Sequence, residues 1–404
     1  MATIAFFNLP ARGHLNPTLP VVKELVELGH DVHYFIGGEY RELVEDAGSM
    51  FHPLPSLNRP SGHSLSRAPD DKQIALMPFA MGYQAPEVVP QLVAELRTLK
   101  PECLVYNTLS LWPRLAAHIL DVPTVGFRPY HGLRGHRSVS PPFGSGEIAN
   151  LAVATDRRLA ALLSSYKMPP LALADLVSQT ADLTLMFIVK ALQHNAEAFD
   201  ERFLFIGPSF INGEPEPWPF PNGPGKRLRR AYVSLGTMRN DDPAFYRACL
   251  SAFSADEWEV VMSVGEQVNM ETLAPIPENF LVAGSVRQTS VLPHTDVFVT
   301  HGGLNSVMES LRFGVPMVLV PSIREQKLTA SRVQALGFGI VLERDAVTAA
   351  SLLHHASSLA GNATVISRLR AMIGEVNASG GYKRAAKAIA NYITNQTINL
   401  KDKN

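Results

Sequence analysis

The sequence predicts an α/β protein with two nucleotide-binding-type lobes, each on a parallel sheet and facing a central cleft. Three observations carry this. Short apolar runs alternate with helical patterns from Ile4 to about Leu120, stop at a proline-rich stretch, and resume at Ala231; strands alternating with helices imply doubly wound parallel sheets. The length of 404 residues exceeds one ordinary core and suits two domains of about 200 each. Finally, the apolar run Val297-Phe298-Val299-Thr300 leads into His301-Gly302-Gly303 and a helix-like segment from about Asn305. Such a strand-to-helix turn suits an anion, because unpaired N–H groups and the positive end of the helix dipole meet there.

In chain order, Ile4 to Phe7 reads as a strand, Pro17 to Leu28 as a helix, and Asp31 to Ile36 as a second strand. Pro17 near the start of that helix and Gly29 just past its end fit the usual asymmetry of helix termini. A helix is expected from about Tyr40 to Ala47 and another from Pro86 to Thr98, then a strand from Cys103 to Tyr106 and a helix from Leu111 to Leu120. Residues 56 to 83 and 129 to 150 are rich in Ser, Pro, Gly and His with poor periodicity, and read as long loops. Asn212 to Gly225 holds five prolines in fourteen residues, a stiff, exposed connector between domains.

The second half repeats the pattern. Strands are expected at Ala231–Leu235, Glu259–Ser263, Phe280–Val282, Val297–Thr300 and Met317–Val320, with helices at Pro243–Phe253 and after Asn305. Gly380-Gly381-Tyr382-Lys383-Arg384 opens a last amphipathic helix, expected to pack on the first lobe and to fray at the end. The expected divisions are therefore a first lobe at 1–211, a linker at 212–228, a second lobe at 229–379 and the returning helix at 380–398.

Composition removes several function classes. With 46% hydrophobic and 18% charged residues and a net charge of −1, the chain has no basic field for nucleic acid. Its two cysteines, Cys103 and Cys249, lack the spacing of a zinc site or a disulfide framework, which fits a reducing compartment. The N-terminus MATIAFFNLP lacks a basic n-region and reads as a first buried strand, and no apolar stretch reaches spanning length. A cytoplasmic protein without a membrane span is expected. Oligomeric state is not readable.

The segment from Phe298 to Gln326 carries most of the chemistry. Glycines let the backbone approach a diphosphate closely, while His301, Asn305 and Ser306 add side-chain donors. Glu309, about one turn further in, would repel phosphate but suits a pair of sugar hydroxyls.

Together with Gly314-Val315-Pro316 and Glu325-Gln326, this segment resembles the donor-binding signature of family 1, UDP-dependent glycosyltransferases, of the macrolide and flavonoid type. Gly13-His14-Leu15-Asn16-Pro17-Thr18-Leu19, Arg202 to Pro208, Tyr232 to Thr237 and the Gly-Gly-Tyr-Lys-Arg run agree in order and spacing. The resemblance covers nearly the whole chain and implies the GT-B fold, two facing Rossmann-like lobes. It implies that His301, Gly303, Asn305 and Ser306 hold the diphosphate and that Glu309 takes the ribose hydroxyls. Gly236 and Thr237 would close over the donor, while Glu325 and Gln326 would meet the sugar. Where the family commonly has Asp-Gln, this chain has Glu325-Gln326, one methylene longer. A carboxylate and an amide suit a polyol because both accept from hydroxyls and the amide also donates. His14 is implied as the base that takes the acceptor's proton in a direct, inverting displacement. The family typically needs no metal, no carboxylate cluster for magnesium is evident, and no cofactor is expected beyond the nucleotide sugar, UDP- or dTDP-linked.

Two departures stand out. The aspartate that normally orients the histidine is Asn107 here, an amide without charge; in the serine-protease triad such a change lowers turnover about ten-thousandfold. The aromatic residue that stacks on the base is Ser285, leaving the Val286 backbone, Arg287 and Gln288 at that position. Three readings follow: a transferase whose acceptor is acidic or pre-organised (a phenol, an enol or a tetramic-acid-like hydroxyl), a GT-B protein turned to elimination or cyclisation, or a silent partner protein. The acceptor wall is expected from Met77, Phe79, Met81, Tyr83, Phe127, Tyr130 and Met186, an apolar set that fits an apolar natural product. His131 and His136 are secondary candidates for proton transfer.

Overall fold

The computed structural model describes residues 1–55, 57, 71–132, 147–211, 219–223, 228–237, 240–254 and 257–401. The chain divides into two compact units, Met1–Phe210 with Gly380–Asn404, and Ile211–Ser379.

In the first unit the strands are β1 (Thr3–Phe7), β2 (Asp31–Ile36), β3 (Met50–Pro53), β4 (Cys103–Asn107), β5 (Thr124–Arg128), β6 (Leu183–Met186) and β7 (Phe203–Phe205). They form one seven-stranded sheet in the order β3-β2-β1-β4-β5-β6-β7, parallel throughout. Helices cover both faces, so a strand such as β1 is apolar at nearly every position. Ala5 and Phe7 enter one core with Phe79, Leu104 and Trp112, while Ile4 and Phe6 enter the other with Val22, Tyr34 and Val125.

The second unit holds β8 (Arg229–Ser234), β9 (Trp258–Ser263), β10 (Phe280–Ala283), β11 (Val297–Thr300), β12 (Met317–Leu319) and β13 (Gly339–Val341). Their order is β10-β9-β8-β11-β12-β13, again all parallel. Each sheet reverses its strand order in the middle, between β1 and β4 and between β8 and β11. A parallel sheet binds ligands beyond the carboxyl ends of its strands at such a switch point.

Several expectations need correction. The loop expected to residue 83 gives way to a helix at Asp71–Leu99 that absorbs the expected Pro86–Thr98 helix, although Pro78, Pro86 and Pro90 lie inside it. Proline removes donors from a helix, which hid it in the sequence. Packing overrides that: Trp112 Nε1–H donates to the Met81 carbonyl at 2.8 Å and Arg158 Nε–H to that of Tyr83 at 2.7 Å. The loop expected to residue 150 ends at the helix Glu147–Ser165. The expected Pro17–Leu28 helix is observed at Leu19–Glu27, preceded by a separate short helix at Arg12–Leu15. Between them the Thr18 hydroxyl donates to the Leu15 carbonyl at 2.7 Å.

The connector is not wholly exposed. Its segments 212–218 and 224–227 lie outside the described residues, but Phe220 is buried and the Asn222 N–H donates to Glu259 at 2.9 Å. The last helix, Gly381–Lys401, takes in the first half of the closing tail expected to fray. It packs in the first unit, burying Ala385, Ala386, Ile389 and Ile393 against Val21, Val22 and Leu25. At its start the Gly381 N–H donates to the Ile206 carbonyl at 2.8 Å. Gly381 has φ +54, and a Cβ there would lie 2.9 Å from the Pro208 carbonyl oxygen. The Gly-Gly pair and the Ile-Gly-Pro segment are therefore two sides of one contact.

Candidate functional site

Each switch point gathers polar side chains. In the first sheet Phe7 is paired with Tyr106, so the next residues, Asn8 and Asn107, lie side by side at the carboxyl ends of β1 and β4. Asn107 is fully buried. Its Nδ2 stands 2.8 Å from Nδ1 of His14 and donates to Asn8 Oδ1 at 3.1 Å. Its Oδ1 accepts from the Leu109 N–H at 3.1 Å and lies 3.5 Å from the Tyr130 hydroxyl. Asn8 in turn accepts from the Leu9 N–H at 2.9 Å and donates to the His14 carbonyl at 3.0 Å and the Tyr34 hydroxyl at 2.9 Å. The Tyr130 ring centroid is 5.7 Å from that of His14, and its hydroxyl is 2.5 Å from Thr108 Oγ1. Desolvation lowers the His14 pKa to about 4, so the imidazole is neutral across the physiological range.

In the second sheet Thr300 pairs with Ser234, bringing the turns after β8 and β11 together. His301 lies between two glycines: a Cβ on Gly236 would fall 2.6 Å from its Cε1, and one on Gly303 2.3 Å from its Nε2. Burial lowers its pKa to about 4, opposed by a hydrogen bond to the Ser234 main chain. His301 is therefore a neutral donor and acceptor rather than a cation.

Gly303 is the N-cap of the helix Leu304–Phe313 and places no side-chain cap on its first-turn N–H groups. Asn305 and Ser306 are partly exposed in that turn. One turn on, Glu309 accepts from Gln288 Nε2–H at 2.6 Å. Burial raises the Glu309 carboxyl to about 7, with the Gln288 hydrogen bond opposing. Gln288 opens a short helix, Gln288–Val291, capped by Arg287; Val286 is partly exposed, as Ser285 and Arg287 are more fully. Thr237 is exposed on the turn after β8.

Glu325 and Gln326 begin the helix Arg324–Ala335. Glu325 is exposed. Gln326 differs from expectation: its Oε1 already accepts from the Ser322 N–H at 2.8 Å, the Ser322 hydroxyl at 3.0 Å and the Ile323 N–H at 3.3 Å. Its oxygen is thus committed to closing the loop's own turn.

The expected acceptor wall is largely core. Phe79, Met81, Phe127 and Met186 are all buried; Phe79 and Met81 pack with Phe7 and Trp112, and Phe127 packs edge-on against Phe187 at 6.1 Å. Met77 packs against the same core as Phe79. The Tyr83 ring is covered by the Arg158 guanidinium at 4.3 Å. Only Tyr130 of this set joins the His14 network. Apolar type alone does not distinguish a strand's inward positions from a ligand wall.

His131 is buried, its pKa lowered to about 3 by desolvation and the neighbouring His194, which makes it a poor proton carrier. His136 lies outside the described residues. The residues that sequence reading missed are Asn8 and Thr108. The available signal was positional: Asn8 directly follows the apolar β1 and Thr108 follows Asn107 at the end of β4, at the edge where ligands bind. Among the described residues no group of His, Cys, Asp and Glu is placed to hold a metal ion, and no helix is long and apolar enough to cross a membrane.

Comparison with known proteins agrees with this architecture. Residues 247–384 match the model of the erythromycin biosynthesis protein CIII-like C-terminal domain. The chain is 32% identical to the NDP-glycosyltransferase YjiC of Bacillus subtilis (strain 168), over 98% of each chain. It is 31% identical to demethyllactenocin mycarosyltransferase of Streptomyces fradiae, over 96% of this chain and 86% of that one. The crystal structure of the glycotransferase of kitacinnamycin superposes with a TM-score of 0.84 at 30% identity, covering 97% of this chain and 99% of that one.

Proposed function

We propose that this chain, which belongs to the macrolide-type natural-product glycosyltransferases of GT-B fold, transfers a sugar from a UDP- or dTDP-linked donor to a hydroxyl of an apolar small molecule, with inversion. The observation that carries the reading is His301, held between Gly236 and Gly303 at the start of the Leu304–Phe313 helix. A neutral imidazole, the first-turn N–H groups and the helix dipole together suit a diphosphate. Asn305 and Ser306 add donors in the same turn. Glu309, oriented by Gln288, is assigned to the ribose hydroxyls. Gln326 through Nε2, Glu325 and Thr237 are assigned to the sugar and the closing loop, and Val286 to the base. The leaving diphosphate takes the electron pair of the breaking bond while its pocket stabilises the charge.

His14 and Asn107 are assigned to the acceptor oxygen, with Tyr130 beside them. His14 is bordered by amides and hydroxyls, which supports single displacement over a covalent sugar–carboxylate intermediate. No cofactor or metal is assigned a step.

The test is a melting-temperature titration with UDP, dTDP and ADP, followed by a mass-spectrometric screen of sugar nucleotides against small hydroxylated acceptors. A ligand selective for the native state raises the melting temperature. A shift with UDP or dTDP is expected, and no shift with any diphosphate would sink the reading.

A further inference from the structure

The hydrogen bonds around Asn107 fix more than the position of His14. An amide has one accepting and one donating end, so which end faces the ring decides where the ring carries its proton. Asn107 Oδ1 accepts from the Leu109 main-chain N–H at 3.1 Å, a group that can only donate. Its Nδ2 donates to Asn8 Oδ1 at 3.1 Å. Asn8 is itself held by the main chain at both ends, through the Leu9 N–H at 2.9 Å and the His14 carbonyl at 3.0 Å. Turning the Asn107 amide over would set two donors against each other at Leu109 and two oxygens against each other at Asn8. Its Nδ2–H therefore points at His14 Nδ1, 2.8 Å away, and Nδ1 must be the unprotonated, accepting nitrogen.

From this we infer that His14 is held as the Nε2–H tautomer and serves as a hydrogen-bond donor to an acceptor that binds already ionised: a phenolate, an enolate or a similarly acidic hydroxyl. The substrate class rests on the transferase reading; the tautomer does not. A carboxylate in place of Asn107 would accept from Nδ1–H and leave the Nε2 lone pair to act as base. Here that lone pair carries a proton. Protonating Nδ1 as well would set its N–H against that of Asn107, so the ring resists becoming a cation. In the step itself the acceptor O⁻ forms a bond to the anomeric carbon and the bond to the diphosphate oxygen breaks. The diphosphate leaves with the electron pair, and no proton moves. Among the described residues, the Tyr130 ring also faces that of His14, at 5.7 Å between centroids. Its hydroxyl lies against Thr108 and Asn107.

Long-range ¹H–¹⁵N correlation on the histidine-labelled protein reads the tautomer directly, with the His14 signals identified by their loss in His14→Gln. A protonated Nε2 is expected, and a protonated Nδ1 overturns the inference. Transfer to a series of phenols should show a pH–rate midpoint that moves with each phenol's own pKa; a midpoint fixed across the series would mean that an enzyme base governs the step and overturns it. His14→Gln keeps an N–H donor and should retain phenol activity within about tenfold, whereas His14→Ala should lose about 10²–10³-fold, as removal of an oxyanion donor does. Equal losses in both overturn the donor role. Asn107→Asp should raise transfer to aliphatic alcohols by about 10²-fold or more, the range of general-base catalysis, and bring an enzyme ionisation into the profile. Failure to transfer any sugar to any acceptor would overturn the substrate class together with the transferase reading. An Nδ1–H signal overturns the tautomer even while transfer proceeds, so the two failures are distinct.

Discussion

Gly303 and His301 share one space: a Cβ added to Gly303 would lie 2.3 Å from the His301 Nε2. The Gly303 backbone is extended, with φ −61 and ψ 138, so alanine meets no conformational objection there. Any effect of Gly303→Ala is thus a report on the imidazole. The substitution should push His301 off the helix N-terminus and weaken nucleotide diphosphate binding by about tenfold or more, the scale of one hydrogen bond to a charged group. Calorimetric titration of UDP or dTDP against both proteins checks this. Unchanged affinity would remove His301 from the diphosphate site.

The Gln288–Glu309 pair should act on the donor and not on the acceptor. Glu309→Gln removes the carboxylate proposed to meet the ribose hydroxyls; hydrogen bonds to a charged group are worth about 1.5–3 kcal/mol, so donor KM should rise by about ten- to a hundredfold with acceptor KM unchanged. Gln288→Ala frees the carboxylate and should give a smaller effect of the same kind. Steady-state kinetics with each substrate varied in turn separates the two. A rise confined to acceptor KM would contradict the ribose assignment.

Acid should destabilise the protein in a defined window. His14 and His301 have folded pKa values near 4 and His131 near 3, against 6.5 unfolded. Below pH 6.5 the unfolded chain therefore binds protons that the folded one refuses, so stability falls as pH drops toward 4. At about 1.4 kcal/mol per unit, each histidine contributes on the order of 2–3 kcal/mol after allowance for solvent contact. Glu309, raised from 4.5 to about 7, has the opposite sign: its folded carboxyl takes up a proton between pH 7 and 4.5 before the unfolded one does. Glu309→Gln removes that compensation, and its melting temperature should fall more steeply below pH 7 than that of the parent. Parallel slopes would show that Glu309 is ionised in the folded state.

Gly381→Ala tests the return of the last helix. Its φ of +54 and the 2.9 Å approach of the Pro208 oxygen both oppose a side chain, and the left-handed conformation alone costs roughly 1–2 kcal/mol. The first unit should lose at least that much stability to urea, while nucleotide diphosphate affinity on the second unit stays as it was. A loss of affinity instead would mean that the helix supports the donor site.

Much of this protein was legible in its sequence, because much of it is governed by local rules. Apolar strands buried on both faces, glycines at the turns and a strand-to-helix turn at His301 are written in consecutive residues, and they determined the α/β class and the donor-type motif. The helix at Asp71–Leu99 was not legible: its three prolines argue against a helix locally, and only packing against its neighbours overrules them. Nor could residue type separate Phe79, Met81 and Phe127, which fill cores, from Tyr130, which joins His14. Gln326 was expected as a donor-site residue, but its accepting end is taken by Ser322 and Ile323, four and three positions away. Most of all, sequence showed an amide at residue 107 but not which end of it meets His14. That was decided by Leu109 and Asn8, one near in sequence and one distant, because an amide's direction is set by whatever holds its other atoms.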